Sequence, residues 1–400
     1  MNIKITILLG CLFSSTTLAK TPLVLLSIDG FAQRYIEQYE PQALLSLIKE
    51  GTSAKALLPV YPSKTFPNHL SIITGQYPIN HGILHNDFFN RDIDKAYKLG
   101  DGKNDSRWLT AEPLWHINEV QGNKSAVYFW PESETSIDNK TASYYYPYKH
   151  FTPNKERLDQ ILSWLRLPEA QRPNFIAGYF ASVDDAGHDY GENSPQLISA
   201  ISELDNLIAG FIEKINQEFN GNVNVVIVSD HGMTKINEHH VIDWKENIID
   251  GVKAINGSTQ LYLYSDNDIK LKETLHLFKN AQGVNDQANY RIYQYPNFPE
   301  HWHLNQSNTA VPNAIIDALP SYIFSKGDSH IDPETHGYDP KLQRDLDAIF
   351  IATGPAFRKN VKVEAFENVN VLPIITRALG LKDVDNIDGN YQLAEEIVVK

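Results

Sequence analysis

Five short apolar runs constrain this chain more than any other feature. Pro22–Ile28, Ala126–Trp130, Phe175–Val183, Val223–Ser229 and Ala348–Ala352 are rich in β-branched residues and do not alternate with polar ones. Runs of this kind suit strands covered on both faces, as in a parallel sheet. Helical patterns lie between them. Over 155–166, Leu158, Ile161, Leu162 and Leu165 share one face. Over 195–219 the stripe is Leu197, Ile201, Leu204, Ile208, Phe211 and Ile215, with Ser194 as N-cap and Pro195 in the first turn. Strands alternating with helices predict an α/β fold with helices on both faces of the sheet. Residues 235–330 read differently. Strand-like Gln260–Tyr264, Tyr290–Tyr295 and Ser321–Ser325 and a helix near Lys270–Lys279 predict a small inserted α+β subdomain.

Three of the five runs lead into an aspartate: Asp29-Gly30, Asp184-Asp185 with His188, and Asp230-His231-Gly232. Ligands bind beyond the carboxyl ends of parallel strands. One such aspartate is ordinarily a helix cap. Three, two of them with a histidine one or four residues on, exceed what capping explains. Carboxylates crowded at one sheet edge repel each other, and divalent cations remove that cost. Asp and His without Cys suit zinc or, less specifically, manganese or iron. Asp184 and His188 can clamp one ion. Asp230 and His231 point differently and suit a second ion or a bridge. His336 lies just before the last core strand. A nucleophile is offered by Pro62-Ser63-Lys64-Thr65-Phe66-Pro67. The proline there places Thr65 or Ser63 near a helix N-terminus, which favours anions. Thr65 as a simple N-cap is the bland alternative. His69, His81 and His85 read as supports around the site, Asp185 and Asp189 as solvated or supporting, and His239, His240, His301 and His303 as loop residues.

The net charge of −14 over 400 residues disfavours bulk nucleic-acid binding. No apolar run reaches the roughly 20 residues of a membrane span. Residues 1–19 read as a secretory signal peptide, with Thr17 and Ala19 before a cut at Lys20. The expected location is secreted or periplasmic. Lipoprotein anchoring through Cys11, the only cysteine, is the lesser alternative. No protein partner is evident.

Taken in order, these residues resemble the nucleotide pyrophosphatase/phosphodiesterase family of the alkaline phosphatase superfamily. The match comprises Ser27-Ile-Asp29-Gly30, Lys64-Thr65-Phe66-Pro67-Asn68-His69, His81-Gly82-Ile83 with Asn86, Phe129-Trp130-Pro131, Asp184 to His188 with Tyr190-Gly191, Ser229 to Met233, and Thr335-His336-Gly337-Tyr338-Asp339. The resemblance implies an alkaline phosphatase-like catalytic domain over 20–400 with a central, mostly parallel sheet. It also implies two zinc ions per chain. Asp184, His188 and His336 would hold one; Asp29, Asp230, His231 and the Thr65 oxygen would hold the other. Thr65 would form a covalent phospho-threonine intermediate. Asn86 and the backbone N–H after Thr65 would bind a non-bridging phosphate oxygen.

The resemblance is to diesterases, and no arginine flanks Thr65 to meet the extra charge of a monoester. Phe66 beside the nucleophile is expected to form one wall of a leaving-group pocket suited to a planar group. Tyr144, Tyr145 and Tyr146, in a polar loop, are expected to supply the other, although some of them can equally be packing residues. A nucleotide substrate, cleaved to a nucleoside 5′-monophosphate, is the leading expectation. The same site acting on a lipid- or choline-derived diester, or on a phosphonate, is the alternative. A binding protein on a dead enzyme scaffold is disfavoured by the complete ligand set.

Overall fold

A computed structural model describes residues 20–282, 288–325 and 330–399. Residues 1–19, read above as a signal peptide, lie outside the described residues, Cys11 among them. The core strands are β1 (Leu23–Ile28), β2 (Thr52–Ala54), β3 (Ser125–Tyr128), β4 (Tyr144–Tyr146), β5 (Phe175–Phe180) and β6 (Asn224–Val228). After the inserted strands β7 (Lys253–Asn256), β8 (Gln260–Tyr264), β9 (Tyr290–Gln294) and β10 (Ala314–Ala318), the core resumes with β11 (Phe350–Thr353) and β12 (Val361–Val363). The eight core strands form one sheet in the order β12-β2-β11-β6-β1-β5-β3-β4. It is α/β and mostly parallel: β11 alone runs against both of its neighbours.

Every residue of β1 is buried. Successive side chains alternate between faces, so Leu23 and Leu25 join one core while Val24, Leu26 and Ile28 join another. The first core receives Leu70, Ile72 and Ile73 from α1 (Thr65–Thr74). The second receives Leu158, Ile161 and Leu162 from α2 (Asn154–Leu165), and the six-residue stripe from Leu197 to Ile215 of α4 (Pro195–Phe219). Ser194 caps α4 by accepting from the Leu197 N–H at 3.1 Å. The run Phe175–Val183 is not all strand. It turns at Ala181 into α3 (Ser182–Tyr190), so Asp184 stands on the first turn of a helix.

The strands β7-β8-β10-β9 form a separate antiparallel sheet, covered by α5 (Asp268–Ala281). Gln260 ties this sheet to the main body. Its Nε2 donates to the Gly337 carbonyl at 2.8 Å and to Asp317 of β10 at 2.9 Å. Tyr61 Oη also donates to Asp317, at 3.0 Å. Burial pushes the Asp317 carboxyl up to about 7, against hydrogen bonds that lower it.

The folded chain therefore keeps a proton on Asp317 that the unfolded chain releases near pH 3.8. That stabilising contribution is full below about pH 4 and is lost as pH rises through about 7. A tenfold difference in proton affinity between the two states corresponds to about 1.4 kcal/mol, enough to move a melting curve. Asp317→Asn keeps the acceptor oxygen, so thermal melts at pH 5 and pH 8 should show a smaller loss at the higher pH in the variant than in wild type. Parallel curves would place the titration elsewhere.

Candidate active site

Strands β5, β1 and β6 are parallel neighbours, so the segments that leave them emerge at one sheet edge. Asp29 follows β1, Asp230 follows β6, and Asp184 and His188 sit one turn apart on α3. Gly30 makes the crowding possible. Its φ is +68°, and a Cβ there would stand 2.8 Å from Asp184 Oδ1.

Two three-residue groups result, Asp184–His188–His336 and Asp29–Asp230–His231, each with ligand atoms within 4.8 Å of one another. The rings of His231 and His336, one from each group, stack at 3.6 Å and 11°. Thr65 opens α1, with Oγ1 3.4 Å from His231 Nε2. Tyr179 Oη donates to Asp29 Oδ2.

The hydrogen bonds fix which ring nitrogen faces inward. Nδ1 of His231 lies 2.9 Å from the Gly232 carbonyl, Nδ1 of His336 2.8 Å from that of Ser63, and Nδ1 of His188 3.1 Å from that of Glu334. A carbonyl only accepts, so each Nδ1 carries a proton, and in the neutral form of each ring it is the Nε2 lone pair that faces the carboxylates. His231 Nε2 thus stands 3.0 Å from Asp230 Oδ2 and 3.4 Å from Asp29 Oδ1, lone pair against lone pair. Asp29 Oδ1, Asp184 Oδ1 and Asp230 Oδ2 are buried without an aligned hydrogen bond. Unpartnered carboxylate oxygens facing imidazole lone pairs fit divalent cations with nitrogen and oxygen ligands.

Burial and the charges of Asp230 and Asp184 raise the Asp29 carboxyl well above its usual range. Despite burial, the neighbouring His231 and His69 rings hold Asp230 well below the usual carboxylate range. Burial, with the neighbouring His231 and Lys64, pushes His336 well down. Lys64, beside the nucleophile, is buried, lowered to about 8, and donates to the His336 carbonyl at 2.9 Å.

A cavity of about 420 Å³ opens beside these groups. Asp29, Thr65, Phe66, Asn86 and Asp184 line it, with Tyr148 and Trp130. Tyr144, Tyr145 and Tyr146 do not. They are β4, an edge strand paired with β3; the Tyr146 ring packs on Tyr128 and Trp164, and Tyr144 packs on Trp164. Of the tyrosines in this stretch it is Tyr148, past Pro147, that reaches the cavity, which Tyr179 of β5 also lines. The pattern of four tyrosines in five positions held that signal: a strand with alternating faces must end at the proline. The Phe66 N–H, expected to bind a phosphate oxygen, donates to Asn86 Oδ1 at 3.1 Å. That bond leaves the Asn86 NH₂ as the end available to one.

His69 also holds the site together. Its Nδ1 donates to the Thr65 carbonyl at 2.9 Å and lies 3.2 Å from Asp230 Oδ2, while Nε2 lies 2.8 Å from Ser27 Oγ. One ring thus joins the nucleophile helix, β1 and the Asp230 segment. Its spacing, four residues after Thr65 on one helix face, was the signal.

An α/β sheet that carries a threonine and two Asp/His groups at its strand ends is the arrangement of the alkaline phosphatase superfamily. The chain belongs to the type I phosphodiesterase/nucleotide pyrophosphatase family, whose model matches residues 23–339. It is 30% identical over 385 residues to a venom phosphodiesterase of Naja atra, covering 92% of this chain and 45% of that protein. It is 29% identical over 384 residues to ectonucleotide pyrophosphatase/phosphodiesterase family member 3 of Mus musculus, covering 91% and 43%. The chain thus spans less than half the length of these relatives. Among solved structures, murine ectonucleotide pyrophosphatase/phosphodiesterase 5 superposes with a TM-score of 0.87 at 26% identity, covering 94% of this chain and 100% of that one.

If cations relieve the lone-pair conflict, their removal should destabilise the fold. Chelation at neutral pH should lower the thermal midpoint by a few degrees, since a ligand at 100 times its Kd contributes about 2.7 kcal/mol. Calorimetry with and without chelator, beside elemental analysis, checks this. An unchanged midpoint with less than one metal per chain would count against it.

Proposed function

We propose that this chain hydrolyses phosphodiester or pyrophosphate bonds of nucleotides and releases a nucleoside 5′-monophosphate. The observation that carries the reading is Thr65 Oγ1, set against the two Asp/His groups in a cavity it shares with the rings of Phe66 and Tyr148. Asp184, His188 and His336 would hold one zinc ion, and Asp29, Asp230 and His231 with the Thr65 oxygen a second. Bound there, the ions would supply the positive charge that lowers the hydroxyl pKa and stabilises the apical oxygens of an in-line displacement.

The chain's own groups do the rest. Thr65 Oγ attacks the phosphorus that carries the nucleoside. The Oγ–P bond forms as the bond to the leaving oxygen breaks, and the hydroxyl proton passes to water in the open cavity. The Asn86 NH₂, oriented by the Phe66 N–H, donates to a non-bridging oxygen. Water then cleaves the phospho-threonine ester and restores the hydroxyl. The nucleoside stays on the enzyme-bound half throughout, so its base is the group that Phe66 and Tyr148 grip. An inactive variant of the murine relative, with threonine replaced by alanine, has been solved in complex with AMP, which is consistent with this order of events. The leader-like segment 1–19 supports export to the periplasm or the exterior as the setting.

Thr65→Ala should lose at least about 10³-fold in turnover while retaining its metal, as an alcohol nucleophile has no substitute. Asn86→Ala should lose about 10²–10³-fold with metal content unchanged. Steady-state rates beside elemental analysis test both; near-normal turnover of Thr65→Ala would mean that water attacks directly. Phe66→Ala and Tyr148→Ala should each cost about 10–100-fold in kcat/KM on a nucleotide ester and little on glycerophosphocholine. Faster cleavage of glycerophosphocholine than of a dinucleoside polyphosphate would replace the nucleotide with a lipid-derived diester.

A further inference from the structure

The loop after β3 holds two residues in a backbone conformation that side chains resist. Phe129 has φ +72° and Glu132 has φ +59°. Both line the cavity. For residues with a Cβ this region is strained, and such strain persists only where the surroundings enforce it. Glycine at 132 would avoid the strain. It would also avoid burying a carboxylate, for Glu132 is only 4% exposed. Two separate costs are borne at one position, so the side chain itself has a task there.

Its contacts say what that task is. Tyr97 Oη donates to Glu132 Oε1, and Thr135 Oγ1 donates to Oε2 at 2.7 Å. The Gly102 backbone packs against the same carboxylate. The approach is so close that a Cβ on Gly102 would lie 2.2 Å from Oε2. Each oxygen therefore already accepts from a protein donor. Tyr97 and Gly102 belong to the segment 97–102, whose Leu99 and Gly100, with the adjoining Lys103, line the cavity. The Tyr97 ring in turn meets the Phe66 ring edge-on, at 6.3 Å and 65°.

We propose that Glu132 is a positioning residue for specificity: it clamps the 97–103 turn and, through Tyr97, the Phe66 ring, and so shapes the end of the cavity that receives the base. The inference rests on the nucleotide reading above. It assigns Glu132 no contact with the reacting atoms. Loss of the clamp should thus appear in binding of the ring-bearing half of the substrate and not in the chemical step.

The test uses two esters with one leaving group, thymidine 5′-p-nitrophenyl phosphate and methyl p-nitrophenyl phosphate. Glu132→Gln and Tyr97→Phe are both near-isosteric. Each should raise KM for the thymidine ester about tenfold, a share of one stacked base, with kcat within about twofold. Rates on the methyl ester should not move. If the carboxylate acts through Tyr97, the double variant should be no worse than the worse single one. Equal losses on both esters would make Glu132 a general structural residue, and no loss on either would make the clamp idle; each overturns the inference. Additive effects in the double variant would overturn the relay through Tyr97. Wild type that shows no preference for the thymidine ester would remove the nucleotide reading, and this inference with it.

Discussion

Everything at this site follows from placing Asp29, Asp184 and Asp230 where they repel one another. The sheet enforces it. Strands β5, β1 and β6 are hydrogen-bonded neighbours, so the distance between the segments that leave them is set by strand spacing and cannot relax. Gly30 then removes the last steric barrier to contact with Asp184. Three imidazoles, each held by a backbone carbonyl in the tautomer with Nε2 inward, add lone pairs to a region already rich in negative charge. A positive charge must settle there, as protons or as cations. The two buried cores on either face of the sheet supply the stability that tolerates this arrangement.

Much of this was legible in the residues. Strands buried on both faces need apolar side chains at every position, so β1 and β6 show as unbroken runs. The Ser194-Pro195 pair marks the start of α4 to the residue, because capping and proline chemistry are local. Three aspartates after three such runs point to one sheet edge, because parallel neighbours must emerge together. Features that depend on which strands pair are a different matter. Tyr144–Tyr146 carry polar neighbours and read as loop, yet they form an edge strand because β3 offers them a partner. Asp184 reads as the end of a strand, but the chain bends into a helix three residues earlier. The difference is harmless to the site, since a helix that starts at once keeps Asp184 at the same edge. The engagement of the Phe66 N–H by Asn86 and the positive φ of Phe129 and Glu132 left no mark in composition. Glycine usually advertises such backbone, and here it is absent.

The inserted sheet is not a bystander. Gln260, at the start of β8, reaches the Gly337 carbonyl next to His336, and its Oε1 lies 3.2 Å from His85 Nε2, next to Asn86. Two residues of the candidate site that come from opposite ends of the chain thus share one support. His81 and His85 are lowered to about 3 by burial and serve this framework as neutral groups.

The position of β1 bears on the order in which the molecule can assemble. It is the first described strand and lies in the interior of the sheet, flanked by partners that begin 152 and 201 residues later (Leu23 pairs with Phe175 and with Asn224). A chain leaving the ribosome amino end first makes β1 early and must wait for both neighbours, and for His336 later still. Large loops close before any of these contacts is rewarded, which slows the search. Asp29, Asp230 and His231 can meet once β6 and the residues just after it have been made, whereas the Asp184–His188–His336 group waits for His336. The two groups are thereby completed at different stages of synthesis, the second only when most of the chain exists.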